Sequence, residues 1–293
     1  MPETSIYRVA VTGSNGQLGK ELDRIANDHP RFRFTFLSRK EFPLEDPDKI
    51  ASWLNHYPVD IFIHCAAYTA VDKAESEKEK AFQVNATAPG LIASILSKSN
   101  TRLIYISTDY VFDGTSASPL KEDAVTNPIN IYGASKLEGE RIVMHNNPAS
   151  LVIRTSWLYS TYGNNFVKTM SRLMKNQVSV KVVSDQKGSP TYAGDLALAI
   201  MEILETDRFL PGTYHFSNEG ETTWYEFALE IKKLTGNACE ILPIPSSGYI
   251  TPAKRPAYSL MDKSKIKKAY GLIIPDWQTS LALCIDLLKK QEV

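Results

Sequence analysis

The chain has few of the side chains that build metal centres or disulfide frameworks. Its three cysteines are Cys65, Cys239 and Cys284. The number is odd and no pair has CxxC spacing, which points to thiols in a reducing cytosol. The five histidines, His29, His56, His64, His145 and His215, show no ligand spacing. No protein-built transition-metal site is therefore expected. Charge of one sign is missing too: 33 Lys+Arg stand against 33 Asp+Glu. No basic excess argues for a nucleic-acid face or a membrane surface. The longest apolar runs are strand-sized, so no membrane span is expected. The start, MPETSIYRVAVTG, lacks the charged beginning and apolar run of a secretory signal, and a cytoplasmic location follows as the expectation. No Pro/Gly/Ser linker divides the 293 residues, so the parts are expected to share a tight interface.

What is present is alternation. IYRVAVT (6–12), FRFTFLSR (32–39), DIFIHCAAY (60–68), RLIYISTDYVF (102–112) and SLVIRTSWLY (150–159) read as strands, with helical periodicity between them. That order predicts a Rossmann-like, doubly wound parallel sheet with helices on both faces, in the α/β class. Beyond about residue 160 the elements shorten and prolines multiply. Residues 1–155 are expected to form a nucleotide-binding domain. Residues 156–293 are expected to form mainly a smaller α/β substrate domain, with the helix at 194–206 packing back on the first.

Between the first strand and the first helix lies GSNGQLG, Gly13 to Gly19. Glycines there permit a tight turn and close approach of a pyrophosphate to backbone, while the helix N-terminus offers free N–H groups. Gly13, Asn15, Gly16, Gln17, Leu18 and Gly19 are thus candidate cofactor contacts. The spacing is GxxGxxG, and an ordinary strand-to-helix turn would also accommodate it. Strand two ends in Leu37-Ser38-Arg39-Lys40. An acid there would favour a free ribose hydroxyl. Ser38 and Arg39 instead favour a 2′-phosphate and NADPH, with NADH also admitted.

Tyr132 and Lys136 stand four apart in YGASKLEGE and so share one helix face. A free phenol has a pKa of about 10. A neighbouring ammonium is expected to lower it and make the tyrosine a proton donor. A hydroxyl from the end of strand four, Ser107 or Thr108, can polarise the same carbonyl. Alone, such a pair is common on exposed helices; its place after a strand ending in Ser-Thr-Asp changes that reading. Asp72, Glu75, Glu77 and Glu79 read as a solvated helix face. Asp185 and Gln186 read equally well as a structural turn.

Together the glycine loop, the strand-four hydroxyls and YxxxK resemble the extended short-chain dehydrogenase/reductases. HCAAYTAVDKAES, VNATAPG, STDYVFDG, NPINIYGASKLEGE, RTSWLY, GNNFVKTM, SDQKGSPTYAGDLA and RPAYSLMDKSKI narrow the resemblance to the dTDP-4-dehydrorhamnose reductases. It implies NAD(P)H-dependent reduction of the 4-keto group of dTDP-4-dehydro-L-rhamnose, with a nucleotide sugar as the partner molecule. By the same resemblance Tyr132 is the proton donor. Lys136 tunes it and binds the nicotinamide ribose, and Thr108 bonds the substrate oxygen. Ala66, Ala67, Tyr68 and Thr69 lie along the cofactor. Ser107, Asp109, Tyr110, Val111, Trp157 and Asn165 match positions near the sugar nucleotide, and Arg255 its phosphate end. A homodimer is compatible with the resemblance. Pro119-Leu120 and Tyr258 depart from the family pattern without touching the acid–base set. Two other readings stay open. One is a non-catalytic partner of the methionine adenosyltransferase type; the other is a related epimerase or dehydratase with retained NAD.

Overall fold

The computed structural model describes residues 6–206 and 208–291. The MPETS stretch read above for a secretory signal lies outside the described residues. The first half runs β1 (Tyr7–Thr12), α1 (Gln17–Ile25), β2 (Phe32–Leu37), α2 (Pro47–His56), β3 (Ile61–His64), α3 (Val71–Ala74), α4 (Lys78–Phe82), a π-helical turn (Gln83–Thr87), α5 (Ala88–Leu96), β4 (Arg102–Thr108), α6 (Ile131–Asn146) and β5 (Leu151–Thr155). The second runs β6 (Leu158–Tyr159), α7 (Phe166–Asn176), β7 (Ser179–Val183), β8 (Lys187–Gly188), β9 (Thr191–Tyr192), α8 (Ala193–Glu205), β10 (Gly212–His215), β11 (Thr222–Thr223), α9 (Trp224–Thr235), β12 (Glu240–Ile244), α10 (Ser264–Tyr270) and α11 (Trp277–Gln291).

Six strands form one sheet in the order β10-β5-β4-β3-β1-β2, every pair parallel. The chain reverses its direction across the sheet between β1 and β3, which opens a crevice beyond their carboxyl ends. Strands β3 and β5 are buried at every position, as apolar runs covered on both faces should be. Edge strand β2 alternates instead: Arg33 is exposed, whereas Phe32 and Leu37 are buried. Leu18, Leu22 and Ile25 of α1 pack with Leu196, Ile200 and Leu204 of α8 on one face. Ile50 and Leu54 of α2, Ile92 and Leu96 of α5, and Val143 of α6 cover the other. Each such side chain stabilises the fold by roughly 1.5–3 kcal/mol when fully buried.

The boundary expected at residue 155 is crossed again further along. Helix α8 returns to pack on α1, and β10 returns with it to pair with β5 at the sheet edge. The pairing gives the exposed backbone of β5 a partner, which local pattern in 156–293 does not announce. The remaining elements gather about a separate apolar cluster. It holds Val167 and Met170 of α7, Phe227 and Ile231 of α9, and Leu281 and Ile285 of α11. Here β7 pairs with β12, while β6–β9 and β8–β11 are two-residue ladders.

Candidate active site

At the end of β1, Gly13 takes φ +73°, and a Cβ there would lie 2.8 Å from the backbone nitrogen of Ala66. A Cβ on Gly19 would collide with the Gly13 carbonyl oxygen. Both glycines are therefore required by backbone approach. Gly16 begins α1, with no side-chain cap on the first turn. The Thr12 hydroxyl hydrogen-bonds His64 Nδ1 at 2.9 Å and accepts from the Ala66 N–H at 3.3 Å, tying the ends of β1 and β3 together.

Helix α6 is pinned at its start. Asn130 accepts from the Gly133 N–H at 2.7 Å and donates to the Lys254 carbonyl at 2.7 Å. A Cβ on Gly133 would collide with the Tyr110 carbonyl oxygen, so only glycine lets the helix sit this close. Tyr132 consequently meets Tyr110 edge to face, centroids 5.6 Å apart. Its phenol is pushed up to about 12 by burial, with the Thr108 hydroxyl pulling it down and Asp109 pushing it up. The expected lowering by Lys136 does not govern this phenol. Lys136 is buried, donates to the Ile106 carbonyl at 2.7 Å and lies 4.1 Å from the centre of the Tyr105 ring. Burial holds its ammonium down to about 7, against the pull of Glu140 and Cys65. The phenol thus keeps its proton at neutral pH and is a weak acid as it stands, so its transfer depends on charge developing on the acceptor.

These groups open on one cavity of about 930 Å³. It is lined by Gly13, Asn15, Gly16, Gln17, Leu18, Gly19, Arg39, Ala66, Ala67, Tyr68, Thr69, Ser107, Thr108, Asp109, Tyr110, Tyr132, Lys136 and Trp157. The Ser107 hydroxyl is buried and has no hydrogen-bond partner among the described residues. Burial pushes the Asp109 carboxyl up to about 6, against hydrogen bonds from Ser259 and Thr108.

Four expected residues lie outside that lining. Ser38 turns its N–H to Glu41 at 2.8 Å. Val111 is core, packed with Phe112 and Leu137. Asn165 caps α7 and donates to Gln17 at 2.9 Å, so its neighbour Asn164 faces the cavity instead. Arg255 pairs with Asp72 at 2.9 Å. That pair also corrects the solvated reading for part of the acidic face: Asp72 and Glu77 are half-buried, whereas Glu75 and Glu79 are exposed. Asp72 accepts from the Ala253 N–H, Glu75 from the Ile131 N–H, and Glu77 from the Tyr68 hydroxyl. Asp185 accepts from Ser246 and is a turn residue.

Trp224, Phe166 and Gly163 line the cavity without having been singled out in the sequence. The signal for Trp224 was the capping box Thr223–Glu226, which marks it as the first residue of a helix. Glu45 forms an ion pair with Arg39 at the cavity.

A family model described as the RmlD substrate binding domain matches residues 7–290. A dTDP-4-dehydrorhamnose reductase of Aggregatibacter actinomycetemcomitans is 39% identical over 284 residues, which is 94% of this chain and 97% of that protein. This chain belongs to the dTDP-4-dehydrorhamnose reductase family. Among solved structures, a dTDP-4-dehydrorhamnose reductase of Bacillus anthracis in complex with NADP is similar, with a TM-score of 0.92 and 38% identity. The alignment covers 96% of this chain and 99% of that one. A dTDP-4-dehydrorhamnose reductase of Clostridium acetobutylicum has the same TM-score at 37% identity and the same coverage. As a dTDP-4-dehydrorhamnose reductase family member, the chain carries its Thr108, Tyr132 and Lys136 in the same cavity as its glycine loop.

Proposed function

We propose that this chain reduces the 4-keto group of dTDP-4-dehydro-L-rhamnose to dTDP-L-rhamnose with NADPH, Tyr132 giving the proton. The observation that carries the reading is the opening of Tyr132, Lys136 and Thr108 onto one cavity with the glycine loop and Arg39, in a chain of this family. The residues present fit the cofactor. Gly13, Gly16 and Gly19 line the cavity with no side chain between backbone and ligand, and the uncapped first turn of α1 suits a pyrophosphate. Arg39 offers a planar fork to a 2′-phosphate, by which NADPH is favoured over NADH. When bound, the cofactor supplies the hydride.

The chain does the rest. The unpartnered Ser107 hydroxyl presents a donor to a carbonyl oxygen, and the Thr108 hydroxyl does so when it leaves Asp109. As that oxygen gains charge, Tyr132 transfers its phenolic proton to it. Lys136, on the same helix face, uses one N–H donor on Ile106 and has others to turn to the phenolate left behind. Proton return from solvent restores the acid.

The test is NADPH consumption by the purified chain on addition of dTDP-4-dehydro-L-rhamnose, with product identified by mass and proton NMR. One dTDP-L-rhamnose per NADPH is expected, and less turnover with NADH. No consumption with this substrate, or purification with stoichiometric tightly held NAD, would overturn the reading.

A further inference from the structure

Trp157 is the single non-glycine residue with positive φ among the described residues, at +47°. A bulky side chain in this region is a backbone outlier that persists only where its surroundings hold it. Two contacts do so. The Trp157 indole lies on Trp224, ring centroids 3.6 Å apart and planes within 10° of parallel. A Cβ on Gly188 would come within 2.9 Å of Trp157 Cε2 and Cζ2, so the backbone of β8 also lies against the ring.

These two contacts share one support. Gly188 pairs with Thr222 in the β8–β11 ladder, and Trp224 directly follows β11. The Thr223–Glu226 capping box then sets the direction of the first turn of α9. Phe166 tilts against Trp224, centroids 4.6 Å apart. The ladder therefore presents a backed indole, and both tryptophans line the cavity that holds Thr108 and Tyr132.

We propose that Trp224 is a positioning residue for the nucleotide sugar, acting through Trp157. By stacking on that indole it sets the flat apolar wall against which the sugar-nucleotide end lies. The inference rests on the function proposed above. Rigid aromatic faces offer large contact area with little rotational freedom to lose on binding. A wall of this kind acts on substrate and not on the cofactor, whose glycine cradle is built from β1, α1 and β3.

The test compares Trp224→Leu, which keeps apolar volume but removes the plane, with Trp224→Phe, which keeps a plane. Trp224→Leu is expected to raise the KM for the nucleotide sugar roughly tenfold, with NADPH Kd within about twofold of the parent. It should also lose the near-ultraviolet circular dichroism couplet of stacked indoles. Trp224→Phe should recover most of the KM. An unchanged KM in folded Trp224→Leu overturns the proposal. So does a fall in NADPH affinity matching the KM change, or a Phe variant no better than Leu. A parent protein that does not turn over the nucleotide sugar refutes the functional reading and this inference with it. Normal parent turnover with any of the three preceding results refutes the inference alone.

Discussion

The two halves of the chain hold their parts of the site by different means. Up to residue 155, strands of four to seven residues alternate with helices, and each strand pairs along most of its length. After residue 155, four strands are only two residues long: β6, β8, β9 and β11. Such ladders supply little by themselves, and their positions depend on what packs around them. The groups proposed for acid–base chemistry and cofactor binding thus stand on long parallel strands and a sixteen-residue helix. The stacked indoles of Trp157 and Trp224, the proposed substrate wall, stand on short ladders and a strained backbone. Changes in the first half should act on chemistry and global stability, and changes in the second on substrate fit.

The largest expected effect breaks chemistry without touching fit. Tyr132→Phe should lower kcat by about 10²–10⁴, the usual worth of general acid catalysis. NADPH Kd, measured by fluorescence titration, should stay near the parent value. A variant keeping more than about half of kcat would remove Tyr132 from the proton transfer.

Next comes the support under that helix. Arg154 on β5 donates to Glu140 on α6 through Nε at 2.9 Å and its terminal nitrogen at 2.7 Å, both side chains 6% exposed. It also faces the Phe112 ring and donates to the Glu122 carbonyl. Removing one partner leaves a buried charge alone, which costs about 3–5 kcal/mol. Glu140→Ala should therefore show a loss of that size in urea unfolding. Replacing both, as Glu140→Leu with Arg154→Met, should recover part of it. A single-variant loss below about 1 kcal/mol would mean the pair does not brace α6.

A third effect is of pH. Lys136 is held down to about 7 from the ordinary 10.5, mainly by burial. It is an ammonium below that value and neutral above it. If the phenolate needs the ammonium, kcat/KM of the free enzyme should fall as pH rises through about 7, approaching tenfold per unit. The stability contribution has the opposite sign. Between the folded and unfolded values the unfolded chain binds more protons, so this group makes folding more favourable as pH rises. A kcat/KM profile flat from about pH 6 to about pH 9 would sink the assignment.

The same contrast explains what could be read before the structure. Strand–helix alternation, the glycine loop and the Tyr132–Lys136 spacing are local patterns, and local patterns mark elements. Their meeting in one cavity follows once the strands align in parallel. The return of β10 to β5 rests on an edge that only the folded sheet exposes. Asn164 and Asn165 are identical in type and adjacent, yet one faces the cavity and the other caps α7. The helix boundary separates them, and boundaries are what a sequence marks least well. Asp72 and Arg255 lie 183 residues apart, so no periodicity reveals the pair. Lys136 shares a helix face with Tyr132 as its spacing requires, but its ammonium reaches the Ile106 carbonyl.

The smallest expected effect tests one loop contact between the halves. Asp72 stands on α3 in the first half, and Arg255 on a loop of the second, their side chains 40% and 24% exposed. Arg255 also donates to the Ala253 carbonyl, and Asp72 accepts from the Ala253 N–H, so the pair holds a loop and not a core. Exposed pairs contribute about 0–1 kcal/mol, far below the buried Glu140–Arg154 pair. Asp72→Asn keeps an acceptor for Ala253 and removes the charge. It should change unfolding free energy by less than about 1 kcal/mol while raising the nucleotide-sugar KM about two- to threefold, because the loop beside Tyr110 loosens. Asp72 is held below the usual carboxylate range, chiefly by the Arg255 hydrogen bond. Its contribution is therefore full above the ordinary aspartate value and fades as pH falls through the lowered one. The stability difference between parent and variant should close over the same acid range. A loss as large as that of Glu140→Ala, or one that persists once the carboxylate is protonated, would show that this loop contact is as firm as the buried pair.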